Sequence, residues 1–188
     1  MQAPILLLDV DGVLHPLGSN SLPAQCSLDE LSARTDEGLE RQDEEGYITR
    51  AVSGEFTEPC MAALRRVVDA TSCRIVLSST WREQPCDRRC VDAILVRHGL
   101  PATSDVTPRL GGRGAEILAW VREAGAERWV AVDDASLGST LPAEHFVQTD
   151  AALGLTTEDA DAIVALLLAP AVPSAPAPPP APPSPPSA

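Results

Sequence analysis

Four consecutive apolar residues, Ile5-Leu6-Leu7-Leu8, run directly into Asp9-Val10-Asp11-Gly12-Val13-Leu14, and no other stretch of the chain restricts the fold as tightly. The run is short, apolar and free of alternation, which suits a strand buried on both faces of a parallel sheet. Gly12 permits a sharp exit turn. Two aspartates two residues apart on an extended chain point the same way, and a turn at Gly12 lets both converge on one ion. A strand ending in two carboxylates can carry phosphoryl-transfer chemistry, and a divalent cation gives the reason to hold such charges together.

Downstream, apolar strands alternate with amphipathic helical patterns, which predicts an α/β fold with a mainly parallel sheet. Strands are expected at about Ile5 to Asp9, Arg74 to Ser78, Arg128 to Val132 and Phe146 to Thr149, with a weaker one near Ala102 to Val106. Helices are expected at about Glu58 to Ala70, Cys86 to His98, Gly114 to Ala124 and Thr156 to Leu168. Thr156 reads as the N-cap of the last helix, with Glu158 and Asp159 in its first turn.

The 188 residues suffice for one domain with a sizeable core. That domain is expected over residues 1–168. Residues 169–188 are almost only Pro, Ala and Ser, a composition that cannot bury apolar surface and reads as a disordered, extended tail. The connection from about His15 to Thr57 is far longer than a usual strand-to-helix link and rich in Asp and Glu. Loops leaving the carboxyl ends of parallel strands overhang the ligand site, so this insert, about 15–57, reads as a flap or minimal cap. Within it Tyr47 to Val52 could form one arm of a hairpin.

Charge and residue usage exclude several functions. The net charge of −13 argues against broad binding of nucleic acid, which depends on Lys and Arg neutralising phosphates, although a nucleic-acid end could still enter a local site. All 14 basic residues are Arg, so lysine Schiff bases and lysine phosphate clamps are excluded. The apolar opening is far shorter than the roughly 20 residues of a spanning helix, and no basic region precedes it, so the expected location is cytoplasmic, with no membrane partner. The five cysteines are odd in number and scattered, and read as reduced thiols. Cys86 and Cys90 lie one helical turn apart, but no second pair completes a zinc set.

Four features fall at or just past strand ends: Asp9 with Asp11, the run Ser78-Ser79-Thr80, an arginine near a helix start, and Asp133-Asp134. Each alone is an ordinary turn or cap. Together they form a coherent site at the end of a parallel sheet where ligands bind.

At these residues the chain resembles the haloacid dehalogenase-like (HAD) hydrolase superfamily. Its first motif, a strand ending in Asp-x-Asp-Gly, is matched by Asp9-Val10-Asp11-Gly12, its second by Ile75-Val76-Leu77-Ser78-Ser79 and its acidic fourth by Val130-Ala131-Val132-Asp133-Asp134. Leu77-Ser78-Ser79-Thr80-Trp81-Arg82, taken with Trp129 to Asp134, looks further like the HAD domain of Swiss-army-knife RNA repair proteins. The resemblance implies a Rossmann-like three-layer sandwich and a Mg²⁺-dependent phosphatase acting through an aspartyl-phosphate. Asp9 would be the nucleophile and Asp11 the proton shuttle. Mg²⁺ would be held by the Asp9 carboxylate, the Asp11 backbone carbonyl and Asp133 or Asp134. Ser79 or Ser78 would bind phosphate, with Trp81 and Arg82 able to stack on or pair with substrate. The family's third motif is usually a lysine; here an arginine must serve, Arg113 in Gly111-Gly112-Arg113-Gly114 or Arg109 behind it.

The implied substrate is a phosphorylated small molecule, a nucleotide or an RNA-end phosphate. Two rivals are a catalytically weak or inactive HAD-like binding or adaptor protein and a phospho-acceptor module of the response-regulator type. The second places its acidic pair early and relies on a late lysine, which this chain lacks.

Overall fold

In a computed structural model, which describes residues 2–17 and 56–169, five parallel strands form one sheet in the order β3-β2-β1-β4-β5. The strands are β1 (Ile5–Leu8), β2 (Arg74–Leu77), β3 (Asp105–Val106), β4 (Trp129–Asp133) and β5 (Phe146–Gln148). Most of the insert expected at 15–57, including the Tyr47 to Val52 arm, and the tail from residue 170 lie outside the described residues.

The central strand is the one with no polar residue. Every residue of β1 is buried, since it is flanked by β2 and β4 and covered on both faces. Leu6 and Leu8 face one core, with Ile75, Leu77, Val130 and Val132 from the neighbouring strands. Ile5 and Leu7 face the other, with Val76 and Ala131. The strand's period of two thus divides a continuous apolar run between two cores.

Among the described residues, four α-helices cover the sheet: α1 (Glu58–Thr71), α2 (Pro85–Arg97), α3 (Arg113–Ala124) and α4 (Thr157–Leu168). Met61, Leu64 and Val67 of α1, Ile94 and Leu95 of α2, and Ile163 and Leu167 of α4 fill the first core. Ile117 and Trp120 of α3 fill the second. The result is the three-layer α/β sandwich expected, with element boundaries within one residue of those predicted except at β3, which begins three residues later. Among the described residues no helix is long and apolar enough to cross a membrane.

The order of strands places the site. From β1 the chain steps outward to β2 and β3, then returns across the sheet by α3 on the opposite face and continues at β4 on the other side of β1. Right-handed crossovers require that change of face when the direction of travel reverses. The point of reversal lies between β1 and β4, and the crevice outside their carboxyl ends is where open α/β sheets bind ligands.

Candidate active site

Leu8 is in register with Leu77 on one side and Val132 on the other. The next residues, Asp9, Ser78 and Asp133, therefore end three adjacent strands at one level. The Asp9 N–H donates to the Val132 carbonyl at 3.1 Å and the Ser78 N–H to the Leu8 carbonyl at 2.8 Å, which holds this level together to its last residue.

Beyond Asp9 the backbone turns at once. Val13, Leu14 and His15 all donate to the Val10 carbonyl, and Gly12 has φ +72°. Thr57 donates back to the Leu14 carbonyl, so the long insert leaves and re-enters the fold at neighbouring points beside the strand ends.

Asp9 and Asp133 are buried, and Arg113 lies between them: its Nη1 is 2.9 Å from Asp9 Oδ1 and 2.7 Å from Asp133 Oδ2. Arg113 is the first residue of α3, delivered from the second-core face to the sheet end. Arg109 goes elsewhere. It is 67% exposed and pairs with Glu83 at 2.9 Å. Of the two arginines offered in place of the missing lysine, Arg113 is thus the one at the carboxylates.

The electrostatics follow from burial. Loss of solvation pushes the Asp9 carboxyl above its ordinary range, against the opposing pull of Arg113 and a hydrogen bond from Ser79. Asp133 is pushed up to about 6, by burial first and then by Asp9, while Arg113 and the Ala135 N–H oppose the shift. Burial weakens the Arg113 charge, but Asp9 and Asp133 more than offset that and hold the guanidinium protonated. One cation between two buried anions leaves negative charge to spare.

Asp134 adds a third carboxylate. One oxygen from each of Asp9, Asp133 and Asp134 falls within 4.8 Å of the others. Three hard oxygen donors at that spacing, with the Asp133 carboxyl destabilised by the other two, could hold a metal cation. Asp134 packs so closely on Gly12 that a Cβ there would lie 2.5 Å from Asp134 Cγ.

The Asp11 carboxylate is not one of this trio. Its Oδ2 accepts from Trp81 Nε1 at 3.0 Å and its Oδ1 lies 2.9 Å from His15 Nδ1. Phe56 supports both partners, stacked near His15 and edge-on to Trp81. Trp81, which the resemblance offered as able to stack on substrate, holds the second aspartate and packs against the first core. His15 joins it at that aspartate.

Both serines of the second motif are buried. The Ser79 hydroxyl hydrogen-bonds Asp9 and caps the 3₁₀ turn Thr80–Arg82. The Ser78 hydroxyl has no hydrogen-bond partner among the described residues. Arg82 departs from expectation: it is withdrawn from the crevice and ion-paired with Glu116 of α3 at 2.6 Å, both side chains less than a tenth exposed. Glu116 had drawn no notice in the sequence, although a carboxylate one turn into a helix whose next residues are apolar signals a buried partner.

An open parallel sheet with carboxylates at its switch point, a buried cation beside them and a serine turn on the neighbouring strand defines a HAD-type hydrolase domain. A family model described as the HAD domain in Swiss Army Knife RNA repair proteins matches residues 5–160, and the chain belongs to that family. No curated protein and no solved structure matches it.

Proposed function

We propose that the domain is a Mg²⁺-dependent phosphomonoesterase that works through an aspartyl-phosphate on Asp9. The observation that carries this reading is the grouping of Asp9, Asp133 and Asp134 around one point with Arg113 bridging the first two. Asp9 attacks phosphorus, the bond to the leaving oxygen breaks, and Asp11 gives that oxygen a proton. Asp11 then takes a proton from water as the water attacks phosphorus, and the bond to Asp9 breaks to release inorganic phosphate. Arg113 and the hydroxyls of Ser78 and Ser79 hold the phosphate oxygens. The unpartnered Ser78 hydroxyl supports that role, because a buried polar group left without a partner costs about 1–3 kcal/mol and a ligand oxygen would satisfy it. Asp9, Asp133, Asp134 and the Asp11 backbone carbonyl would hold Mg²⁺, which supplies charge neutralisation between carboxylates and an anionic substrate.

The substrate class is a nucleotide or an RNA-end phosphate, a reading that rests on the family match. The partner is then a phosphorylated small molecule or a nucleic-acid end rather than a long duplex, which the −13 net charge would repel. Phosphate release from an aryl phosphate with Mg²⁺ tests the chemistry. Asp9→Asn should lower the rate by more than about 10³-fold, and equal rates in both proteins would overturn the mechanism. A panel of nucleotides and RNA 3′- and 5′-phosphate ends then tests the substrate.

One observation favours a second reading, a catalytically weak binding or adaptor protein. Arg113 engages Asp9 itself, and a planar guanidinium cannot occupy a lysine's position unchanged. Metal binding without turnover across the phosphate panel would select this reading.

A further inference from the structure

The Arg82 guanidinium makes four hydrogen bonds, all to the protein itself. Its Nε donates to the Thr107 carbonyl at 3.0 Å, Nη1 to the Ser79 carbonyl at 2.5 Å, and Nη2 to the Pro108 carbonyl at 3.3 Å and to Glu116 Oε2 at 2.6 Å. Glu116 uses its other oxygen, Oε1, to accept from the N–H groups of Leu110 and Gly111 at 2.9 and 3.1 Å. Those N–H groups and the charge of Arg82 hold the Glu116 carboxyl below its usual range in spite of burial.

These bonds join two parts of the site that the chain connects only through α2 and β3. One is the serine turn at the end of β2. The other is the loop from Thr107 to Gly112, which has no regular structure of its own and ends on Arg113. Glu116 sits one turn after Arg113 on the same helix. The Thr107 N–H still continues the ladder to the Leu77 carbonyl, but the carbonyls of Thr107 and Pro108 and the N–H groups of Leu110 and Gly111 are satisfied by this one ion pair.

We propose that Arg82 and Glu116 are positioning residues that set the placement of Arg113 against Asp9 and Asp133 and fix the serine turn beside them. The idea rests on the reading of Arg113 and the serines as phosphate ligands. Lysine cannot replace Arg82, because an ammonium lacks the fork that serves acceptors on three sides at once.

The test compares wild type, Arg82→Lys, Glu116→Gln, Arg113→Ala and the double variant R82K/R113A, each assayed with the aryl phosphate and Mg²⁺ after its thermal transition has been measured. Displacing catalytic groups by about 1 Å costs on the order of 10²-fold, so R82K and E116Q should each lose roughly that in kcat with KM little changed. R82K should cost much less in the R113A background than in the wild type, since only the serine turn is then left for it to position. Additive losses would assign Arg82 a general structural role and overturn the proposal. A second readout does not need turnover: the guanidinium ¹⁵N–¹H signals of Arg113, assigned by their loss in R113A. They should shift and broaden in R82K and E116Q, and unchanged signals in folded variants would overturn the proposal. Should wild type prove inactive, the phosphatase reading fails while these signals still decide the positioning role.

Discussion

At Gly12 two demands meet on one residue. Its φ of +72° is a conformation that side chains rarely adopt, and a Cβ would press into the Asp134 carboxyl at 2.5 to 2.7 Å. Gly12→Ala therefore strains the turn, at a cost of about 1–3 kcal/mol, and drives Asp134 away from Asp9 and Asp133. The expected outcome is a lower urea midpoint together with a higher Mg²⁺ concentration for half-maximal phosphate release. A lowered midpoint with an unchanged Mg²⁺ requirement would confine Gly12 to its turn. The turn itself was legible in the sequence, because an Asp-x-Asp-Gly run after four apolar residues leaves few other conformations. The contact with Asp134 was not, since nothing local in either segment records that β1 and β4 are neighbours. Arg82 shows the same limit: its position beside Ser79 suggested the crevice, and only Glu116, supplied by another element, turns it inward.

The elements were largely readable because each carries its own punctuation. Pro59 and Pro85 stand in the first turns of α1 and α2, and Gly125 ends α3 in the left-handed region. The weakest expectation, the strand near Ala102 to Val106, shrank to the two residues of β3, an edge strand paired on one side only. With so few ladder bonds it has little pattern to show. The start of α4 was the clearest signal, and it forms a full capping box: Thr156 Oγ1 accepts from the Asp159 N–H at 3.2 Å, and Asp159 Oδ2 accepts from the Thr156 N–H at 3.0 Å. Ala160, Ile163 and Leu167 seat this helix in the first core, so fraying its first turn loosens packing there. Thr156→Ala should cost about 1 kcal/mol in urea unfolding while leaving kcat within twofold. A loss of activity greater than the loss of folded protein would show that α4 reaches the site.

At the scale of the molecule, the site is paid for in stability, and pH exposes the cost. The Asp133 carboxyl lies near 6 in the fold against an ordinary 3.8, with Asp9 shifted in the same direction. A carboxyl whose pKa is raised by folding binds its proton more tightly in the native state. Between about 4 and 6 the native protein then holds more protons than the unfolded chain, so stability falls as pH rises through that window and levels off above it. The size of the effect is on the order of 3 kcal/mol for Asp133. Glu116 works in the opposite sense, its carboxyl held low, but its contribution is lost only as pH falls below the ordinary carboxylate range. The two effects therefore occupy different windows. In chelator, the urea midpoint of the wild type should drop from about pH 4.5 to 6.5, and Asp133→Asn should flatten that drop. Saturating Mg²⁺ should flatten it too, because a cation that binds the ionised carboxylates stabilises the state in which they are charged. A drop as steep in Asp133→Asn as in the wild type would place the titration on other groups and remove the link between the buried carboxylates and the cation they are proposed to hold.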